Sequence, residues 1–301
     1  MDLSKAVGFK SPDQKVSYNR RDLILYALAV GATDHKFTYE LDKGFCAFPT
    51  YPLVLPLKGN YQDVNSYADQ MKNTFNIPGL PKIDLSRLVH GDQTIEVLAP
   101  IPANGGEFTL KSTMIGVYDA GKGMITENET LMVDAHGKTL VRMVSAAFVI
   151  GAGNFNGPKR PKPARDVKVP ARAPDFVEVV TISPDQALLY RLSGDYNPLH
   201  ADPRIGKKLG MNGAFLHGLC TFGFSASAIL KHVAKNDAAR FKSITGKFAS
   251  PVYPGDVLTT NIWKVSEQNG EVVVAYVASV GTKIVIAGGV CVLSSETAAK
   301  L

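Results

Sequence analysis

Residues 183–200 read Ser-Pro-Asp-Gln-Ala-Leu-Leu-Tyr-Arg-Leu-Ser-Gly-Asp-Tyr-Asn-Pro-Leu-His. Ser183 is a favourable N-cap, Pro184 suits the first helical position, and Gln186 completes a capping box, so a helix is predicted to start here. Gly194 is predicted to end that helix in the left-handed conformation, which glycine adopts without steric cost. The residues after Gly194 therefore form a short loop at a helix end.

The N-terminal half contains a weaker copy of this pattern. Asn19 is predicted to cap a helix whose apolar residues span 23–30, and Gly31 is predicted to end it. Gly31 and Gly194 lie 163 residues apart, and the same offset aligns the two helices that precede them. We interpret the two halves as diverged copies of one unit.

Long strands follow the helix in each half. Pro/Gly turns at residues 99–106 and 250–255 each lead into a run of alternating apolar and polar residues. Further β-rich runs close the halves, at residues 140–150, 272–280 and 283–293. A helix followed by a meander of long strands is typical of units with antiparallel sheets, so the α+β class is predicted.

The chain has 301 residues with 33 Lys+Arg and 27 Asp+Glu, a net charge of +6 and a pI near 9.0. Most of this excess lies in residues 151–174, which contain six basic residues, one acidic residue and five prolines. Proline fixes φ and removes backbone donors, so neither a helix nor a central strand fits there. We predict a basic, Pro-rich linker over 151–174, between units at 1–150 and 175–301. It is interpreted as a solvated spacer, with contact to an anionic ligand as the alternative.

The charge and cysteine patterns exclude several partners. The basic linker has no aromatic-interleaved patch or zinc-ligand spacing beside it, so no nucleic acid is expected. Cys46, Cys220 and Cys291 are odd in number and widely spaced, which argues against a disulfide framework or a metal site. No apolar run approaches the length of a membrane span.

The chain ends in Ala299-Lys300-Leu301, which resembles the Ser-Lys-Leu address of peroxisomal proteins. In that address a small residue and a basic residue precede a final leucine. We therefore predict a peroxisomal localisation, with the peroxisomal import receptor as a partner. The chain starts with Met and shows no Gly-rich dinucleotide fingerprint after a strand, so a monofunctional protein is predicted.

The loop after Gly194 contains the first candidate catalytic residues, Asp195, Asn197 and His200. Asn197 precedes a proline, which disfavours helical φ/ψ and stiffens the turn, so all three side chains can reach one spot. A carboxylate beside an imidazole is a common acid/base pair. The alternative is structural, because Asp-x-Asn-Pro is also good turn chemistry.

A second candidate lies at Gly218, where a buried central helix is predicted to begin. The free N–H groups of a helix N-terminus can stabilise an oxygen that becomes negative. His217 is interpreted as a buried histidine with a packing role. For the glycines of this segment, including Gly218, a packing role is the alternative to the functional interpretation.

The residues from Tyr190 to Pro203 resemble the signature of the enoyl-CoA hydratase 2 family. These are MaoC-like hot-dog enzymes, and they include the hydratase portion of peroxisomal multifunctional enzyme type 2. The resemblance continues through residues 216–226 and 248–255, with a shorter match at 88–93.

The resemblance implies a double hot-dog fold, with two units that each wrap a long helix in an antiparallel β-sheet, and a homodimer. It also implies a lyase of fatty-acid β-oxidation: a hydro-lyase that reversibly adds water to trans-2-enoyl-CoA and gives (3R)-3-hydroxyacyl-CoA. Family members use no metal or nucleotide cofactor, so no cofactor is expected and CoA belongs to the substrate.

The resemblance also assigns roles to individual residues. Asp195 and His200 match the catalytic acid/base pair, Asn197 matches the residue that orients them, and the Gly218 N–H matches an oxyanion donor. The matching substrate-binding positions are His90, Gly91, Lys122, Tyr196, Pro198, Leu199 and Phe248.

The first half lacks the acid/base pair. With Gly31 aligned to Gly194, Ala32 stands at the position of Asp195 and Phe37 at that of His200. We therefore predict that the first unit binds the acyl chain.

Alternative functions remain open at this point. Hot-dog proteins include acyl-CoA thioesterases, in which water attacks C1, and 3-hydroxyacyl dehydratases that act on carrier-protein thioesters. A non-catalytic acyl-CoA-binding protein is a further alternative, which the intact Asp195, Asn197 and His200 set disfavours.

Overall fold

A computed structural model describes residues 1–68, 77–84, 87–163, 165 and 167–295. These residues form one ten-stranded antiparallel sheet, with its strands in the order β1-β3-β4-β5-β2-β7-β10-β9-β8-β6. The strands are β1 (Gln14–Tyr18), β2 (Leu88–Val97), β3 (Gly106–Asp119), β4 (Gly123–Val133), β5 (Thr139–Ile150), β6 (Phe176–Thr181), β7 (Phe241–Phe248), β8 (Val257–Gln268), β9 (Glu271–Val280) and β10 (Lys283–Ser294).

The α-helical segments of the described residues differ greatly in length. They are α1 (Leu3–Ala6), α2 (Arg20–Ala29), α3 (His35–Thr38), α4 (Leu55–Lys58), α5 (Gln186–Arg191), α6 (Pro203–Lys208) and α7 (Gly218–Ala234). None of these helices is long and apolar enough to cross a bilayer.

The two halves of the sheet have the same topology. Along the sheet, the strands of the first half have the order β1-β3-β4-β5-β2. The equivalent strands of the second half follow in the reverse order, β7-β10-β9-β8-β6. The halves join where β2 pairs with β7, with Thr94 opposite Thr245. The hydroxyl groups of these two residues form a hydrogen bond of 2.8 Å at the seam. This arrangement is that of a duplicated unit, and it gives the α+β double hot-dog fold that the sequence predicted.

Helix α7 is the central helix of the molecule. Twelve of its 17 residues are buried, so it is covered on nearly all sides, as expected of a helix that a sheet wraps. Gly223 allows it to approach α2, because a Cβ atom there would collide with the side chain of Val30. The two halves share one hydrophobic core, in which the rings of Tyr26 on α2 and Tyr190 on α5 lie 6.0 Å apart.

The two predicted helices begin differently. Asn19 and Asp22 form the reciprocal capping box of α2. The capping box predicted at Ser183 is wrong: its hydroxyl accepts the N–H of Asp185 at 3.3 Å, and α5 begins only at Gln186. The Gln186 side chain is instead buried and donates to the carbonyl of Ala29 at 2.8 Å, so it joins the two halves.

The linker differs from a free solvated spacer. Its described residues contain no helix or strand, but Arg160 binds the carboxylates of Asp92 on β2 and Glu127 on β4. Lys159 donates to the carbonyl of Asp119 at 3.1 Å. Part of the positive charge of the linker is therefore neutralised by the sheet of the first half.

Candidate active site

The loop at residues 194–200 begins with a glycine that no other residue could replace easily. Gly194 has φ +135°, and a Cβ atom there would lie 2.9 Å from the Cα of Lys58 on α4. The close approach places the start of the loop directly against the first half of the chain. The segment that ends α5 is thereby fixed in position.

Two side chains of the loop hold its turn. Asp195 Oδ1 accepts the N–H of Asn197 at 3.1 Å, and Asn197 Oδ1 accepts the N–H of Leu199 at 3.0 Å. Asn197 has ψ 116°, outside the helical region, and caps a short 3-10 helix over Pro198–His200. The turn chemistry predicted from the sequence is present. It uses one carboxylate oxygen of Asp195, so it does not exclude a catalytic role.

His200 is held in one tautomer. Its Nδ1 lies 2.8 Å from the carbonyl oxygen of Phe215, which can only accept, so Nδ1 carries the hydrogen. In the neutral ring Nε2 therefore has a free lone pair. This is the arrangement required of a general base.

His217 packs directly on His200. The two rings are 3.8 Å apart between centroids, and the His217 side chain is only 2% exposed. Its Nε2 donates to the carbonyl of Asp195 at 3.1 Å. Burial, with a smaller contribution from the charge of His200, lowers the pKa of His217 well below its usual range. The residue is therefore a neutral support for both members of the pair, a contact that the sequence pattern gave no sign of.

Burial sets the protonation of the predicted pair. It raises the pKa of Asp195, while the charge of His200 and the Asn197 N–H act in the opposite direction. It lowers the pKa of His200, against the charge of Asp195 and the bond to Phe215. Both shifts favour the uncharged forms, a protonated Asp195 carboxyl group beside a neutral His200 ring.

Gly218 is the first residue of α7, as predicted. The first N–H groups of a helix have no partner within the helix, and here they lie next to His217, which contacts the loop at residues 194–200. A Cβ atom on Gly218 would lie 3.0 Å from the Phe248 ring. Glycine therefore lets Phe248, at the end of β7, cover the helix N-terminus.

The structure also brings His90 to this place. Its ring meets that of Phe248 edge to face, with centroids 4.7 Å apart. His90 Nε2 is buried and has no hydrogen-bond partner among the described residues. Gly91 forms a bulge beside it, where the register of β2 on β5 shifts between His90 and Asp92. Two of the predicted substrate-binding residues of the first half thus lie against the candidate active site of the second.

The remaining predicted substrate-binding residues divide into two groups. Tyr196 and Leu199 are half-buried and Pro198 is exposed, all in the catalytic loop, and the Arg191 guanidinium lies 5.1 Å from the centre of the Tyr196 ring. Lys122 is exposed at the turn between β3 and β4. The structure does not bring it into contact with the catalytic loop.

Tyr67 of the first half was missed by the sequence analysis. Its hydroxyl oxygen lies 3.3 Å from Asn197 Nδ2. Burial and the charge of Asp195 raise the pKa of Tyr67 to about 12. The segment that contains Tyr67 shows no periodic pattern, so nothing in the sequence pointed to this position.

The assembled side chains can move protons. An imidazole with a free lone pair and a partly buried carboxyl group lie beside helix N–H groups that can stabilise an oxyanion. In the described part of the chain, no group of three or more His, Cys, Asp or Glu side chains is arranged to hold a metal ion.

The fold and this site define a double hot-dog protein with one carboxyl and imidazole pair in the loop of its second half. Residues 166–285 match the family described as MaoC like domain, and residues 16–151 match the MFE-2 hydratase 2 N-terminal domain. The chain belongs to the enoyl-CoA hydratase 2 family, as predicted.

Three relatives illustrate the similarity. The chain is 36% identical to "Enoyl-CoA hydratase 2, peroxisomal" of Arabidopsis thaliana, over 90% of this chain and 93% of the relative. It is 38% identical to peroxisomal multifunctional enzyme type 2 of Mus musculus, over 86% of this chain, but it spans only 34% of that relative. The crystal structure of a MaoC-like dehydratase from Phytophthora capsici superposes with a TM-score of 0.91, at 38% identity and full coverage of both chains.

Proposed function

We propose that the protein is a (3R)-specific 2-enoyl-CoA hydratase. It reversibly adds water to trans-2-enoyl-CoA and gives (3R)-3-hydroxyacyl-CoA, a hydro-lyase reaction of fatty-acid β-oxidation. The observation that carries the proposal is the juxtaposition of His200, with Nε2 free, Asp195 and the N-terminus of α7.

The Asp195–His200 pair supplies both proton transfers. His200 Nε2 is the free base that accepts a proton from water as the oxygen bonds to C3 of the enoyl group. Asp195, whose pKa is raised by burial, supplies the proton that C2 receives. After these two steps His200 carries an extra proton and Asp195 lacks one. Transfer of a proton from His200 to Asp195 through solvent then restores the starting state, in which the pair again holds one proton. General acid/base catalysis of this kind contributes on the order of 10² to 10⁴ in rate.

The N-terminus of α7 stabilises the charge that forms between these two steps. When water bonds to C3, electron density moves through C2 to the thioester carbonyl oxygen, which becomes an enolate. The Gly218 N–H, at the positive end of a 17-residue helix, is the donor for this oxygen. One such donor is worth roughly 10² to 10³ in rate.

Substrate binding uses both halves. Phe248 and His90 form the wall beside Gly218, and the unpartnered His90 Nε2 is available to a polar group of the substrate. Gly91, Tyr196, Pro198 and Leu199 are proposed to line the same path, and Lys122 to contact CoA. The proton transfers need only water and the chain's own side chains, so no cofactor is part of the proposal.

The setting of the enzyme is also proposed by similarity. Relatives at 36% and 38% identity are named as peroxisomal proteins. Ala299-Lys300-Leu301, which lies outside the described residues, is proposed as the signal for the import receptor. A homodimer is proposed as the working state.

The activity is tested by following the absorbance of the enoyl thioester together with a thiol reagent. We expect loss of the conjugated absorbance without release of free CoA. Release of CoA would identify a thioesterase. Activity only on carrier-protein thioesters would identify the other dehydratase class, and binding without any change of absorbance would overturn catalysis.

A further inference from the structure

The catalytic loop depends on side chains of the first half that lie outside its acid/base pair. Lys58 packs under Gly194, and its buried ammonium donates to the carbonyls of Ser17 at 2.8 Å and Tyr61 at 3.0 Å. Asp22 lies 3.3 Å from the same ammonium. The segment that follows α4 is therefore anchored beside the loop at Tyr61, which lies six residues before Tyr67.

The Asn197 amide can be oriented without ambiguity. Its Oδ1 accepts the Leu199 N–H at 3.0 Å, so its Nδ2 is the group that faces Tyr67 and donates to the hydroxyl oxygen. In this bond Tyr67 acts as acceptor, and its own hydrogen is not used by Asn197. The hydroxyl stays protonated at neutral pH, because burial and Asp195 raise its pKa.

We propose that Tyr67 is a positioning residue for the catalytic loop and acts through Asn197. The amide of Asn197 is bonded on both sides, to Leu199 within the turn and to Tyr67 across the cleft. The Asn197 N–H also binds Asp195 Oδ1 at 3.1 Å, so a movement of Asn197 moves the carboxylate. Tyr67 thus connects the first half of the chain to the reacting groups of the second. This inference rests on the proposed hydratase function.

Tyr67→Phe removes the hydroxyl and keeps the ring. The loss of one neutral hydrogen bond should lower kcat for hydration roughly 3- to 10-fold. KM should change by less than about twofold, because the bond acts on catalytic groups and not on uniform substrate binding. Tyr61→Phe is the matched control, since Tyr61 lies in the same segment with an exposed side chain. It should retain wild-type kcat and KM.

A double-mutant cycle tests the route through Asn197. In the Asn197→Ala background, Tyr67→Phe should have no further effect on kcat. Thermal melts of all variants show whether each one is folded. An unchanged kcat in Tyr67→Phe would overturn the proposal. So would a rise in KM alone, which marks a substrate contact, or an equal loss of kcat in both backgrounds.

The same series separates this inference from the proposed function. Asp195→Asn should abolish hydration whether or not Tyr67 matters. If Asp195→Asn retains the wild-type rate, the assignment of the acid/base pair fails, and if the wild type does not hydrate enoyl-CoA, the proposed function fails. If only Tyr67→Phe is silent, the function stands and the positioning role of Tyr67 fails.

Discussion

The loop at residues 194–200 and the loop at residues 31–37 occupy equivalent positions, and each begins with a glycine a few residues after a helix. Asp34 Oδ1 accepts the N–H of Lys36 at 3.0 Å, and Asn197 Oδ1 accepts that of Leu199 at the same distance. Both turns are therefore built in the same way.

The chemistry of the two loops differs. Ala32 and Phe37 stand where the second loop has Asp195 and His200, and both are buried, Phe37 with only 1% exposure. The Phe37 ring packs edge to face on Phe48 at 5.2 Å. The backbone turn has thus been kept in both halves, while only the second half has ionisable side chains at these two positions. The turn is therefore structural, and the side chains placed on it form the candidate site.

The largest effect is expected from removing the acid/base pair. Asp195→Asn or His200→Gln should lower kcat about 10³-fold, because each removes a proton-transfer group and leaves the turn. Steady-state hydration of crotonyl-CoA and decenoyl-CoA measures the effect.

The matched control lies in the first loop. Asp34→Asn changes a carboxylate to an amide at the position of the first loop that is equivalent to Asn197. It should leave kcat within about twofold of wild type. Equal losses in Asp195→Asn and Asp34→Asn would contradict the assignment of catalysis to the second loop.

Gly218→Ala should have the next largest effect. The added Cβ lies 3.0 Å from the Phe248 ring, so the ring or the helix N-terminus must move. A displacement of this kind near the reacting atoms is expected to lower kcat/KM roughly 10- to 100-fold. The same kinetics, together with a thermal melt, measure it, and a folded variant with wild-type kcat/KM would remove the α7 N-terminus from the mechanism.

The pH profile of kcat should show a displaced acid limb. Burial lowers the pKa of His200 below its ordinary value of 6.5. As the pH falls, the base is lost only when His200 takes up a proton, so activity should persist below that value. The rate measured across the acidic range checks this. An acid limb at or above 6.5 would show that the ring is not held in the buried environment described.

Changes in the first loop should have the smallest effect on the reaction. Phe37→Leu should destabilise the fold by about 1–2 kcal/mol, because it leaves space in a packed core. Hydration of short substrates should remain within about twofold of wild type, while changes at Ala32 or Phe37 alter the preference for long acyl chains. Denaturant unfolding and rates from C4 to C16 substrates measure both effects. A large loss of the short-chain rate would mean that the first loop takes part in the chemistry.

Much of the architecture followed from local signals. Asn19 and Gly31 predicted the two ends of α2, the Asn197-Pro198 pair predicted a stiff turn, and Gly218 predicted the start of α7. These signals work because caps, prolines and glycines restrict the backbone over a few residues. The prediction that Gly194 ends α5 in the left-handed conformation was wrong, because α5 ends at Arg191 and Gly194 has φ +135°.

The remaining features depend on contacts between distant segments. Ser183 predicted a helix N-cap, but α5 begins later, at Gln186, whose side chain binds the carbonyl of Ala29 in the first half. The stacking of His217 on His200 and the bond between Tyr67 and Asn197 join residues that the sequence separates. The six-residue α5 of the second half is also shorter than its counterpart, the ten-residue α2 of the first half, a difference that the aligned sequences did not show. No local pattern encodes such pairings.

The stereochemistry of the hydration product tests the central claim most directly. The Asp195–His200 pair, fixed on one side of the cleft, should deliver water to a single face of the enoyl group. Chiral analysis of the products from C4 to C16 trans-2-enoyl-CoA substrates should give only (3R)-3-hydroxyacyl-CoA from the wild type and almost no product from Asp195→Asn. Formation of the 3S product, or undiminished product from Asp195→Asn, would contradict the account.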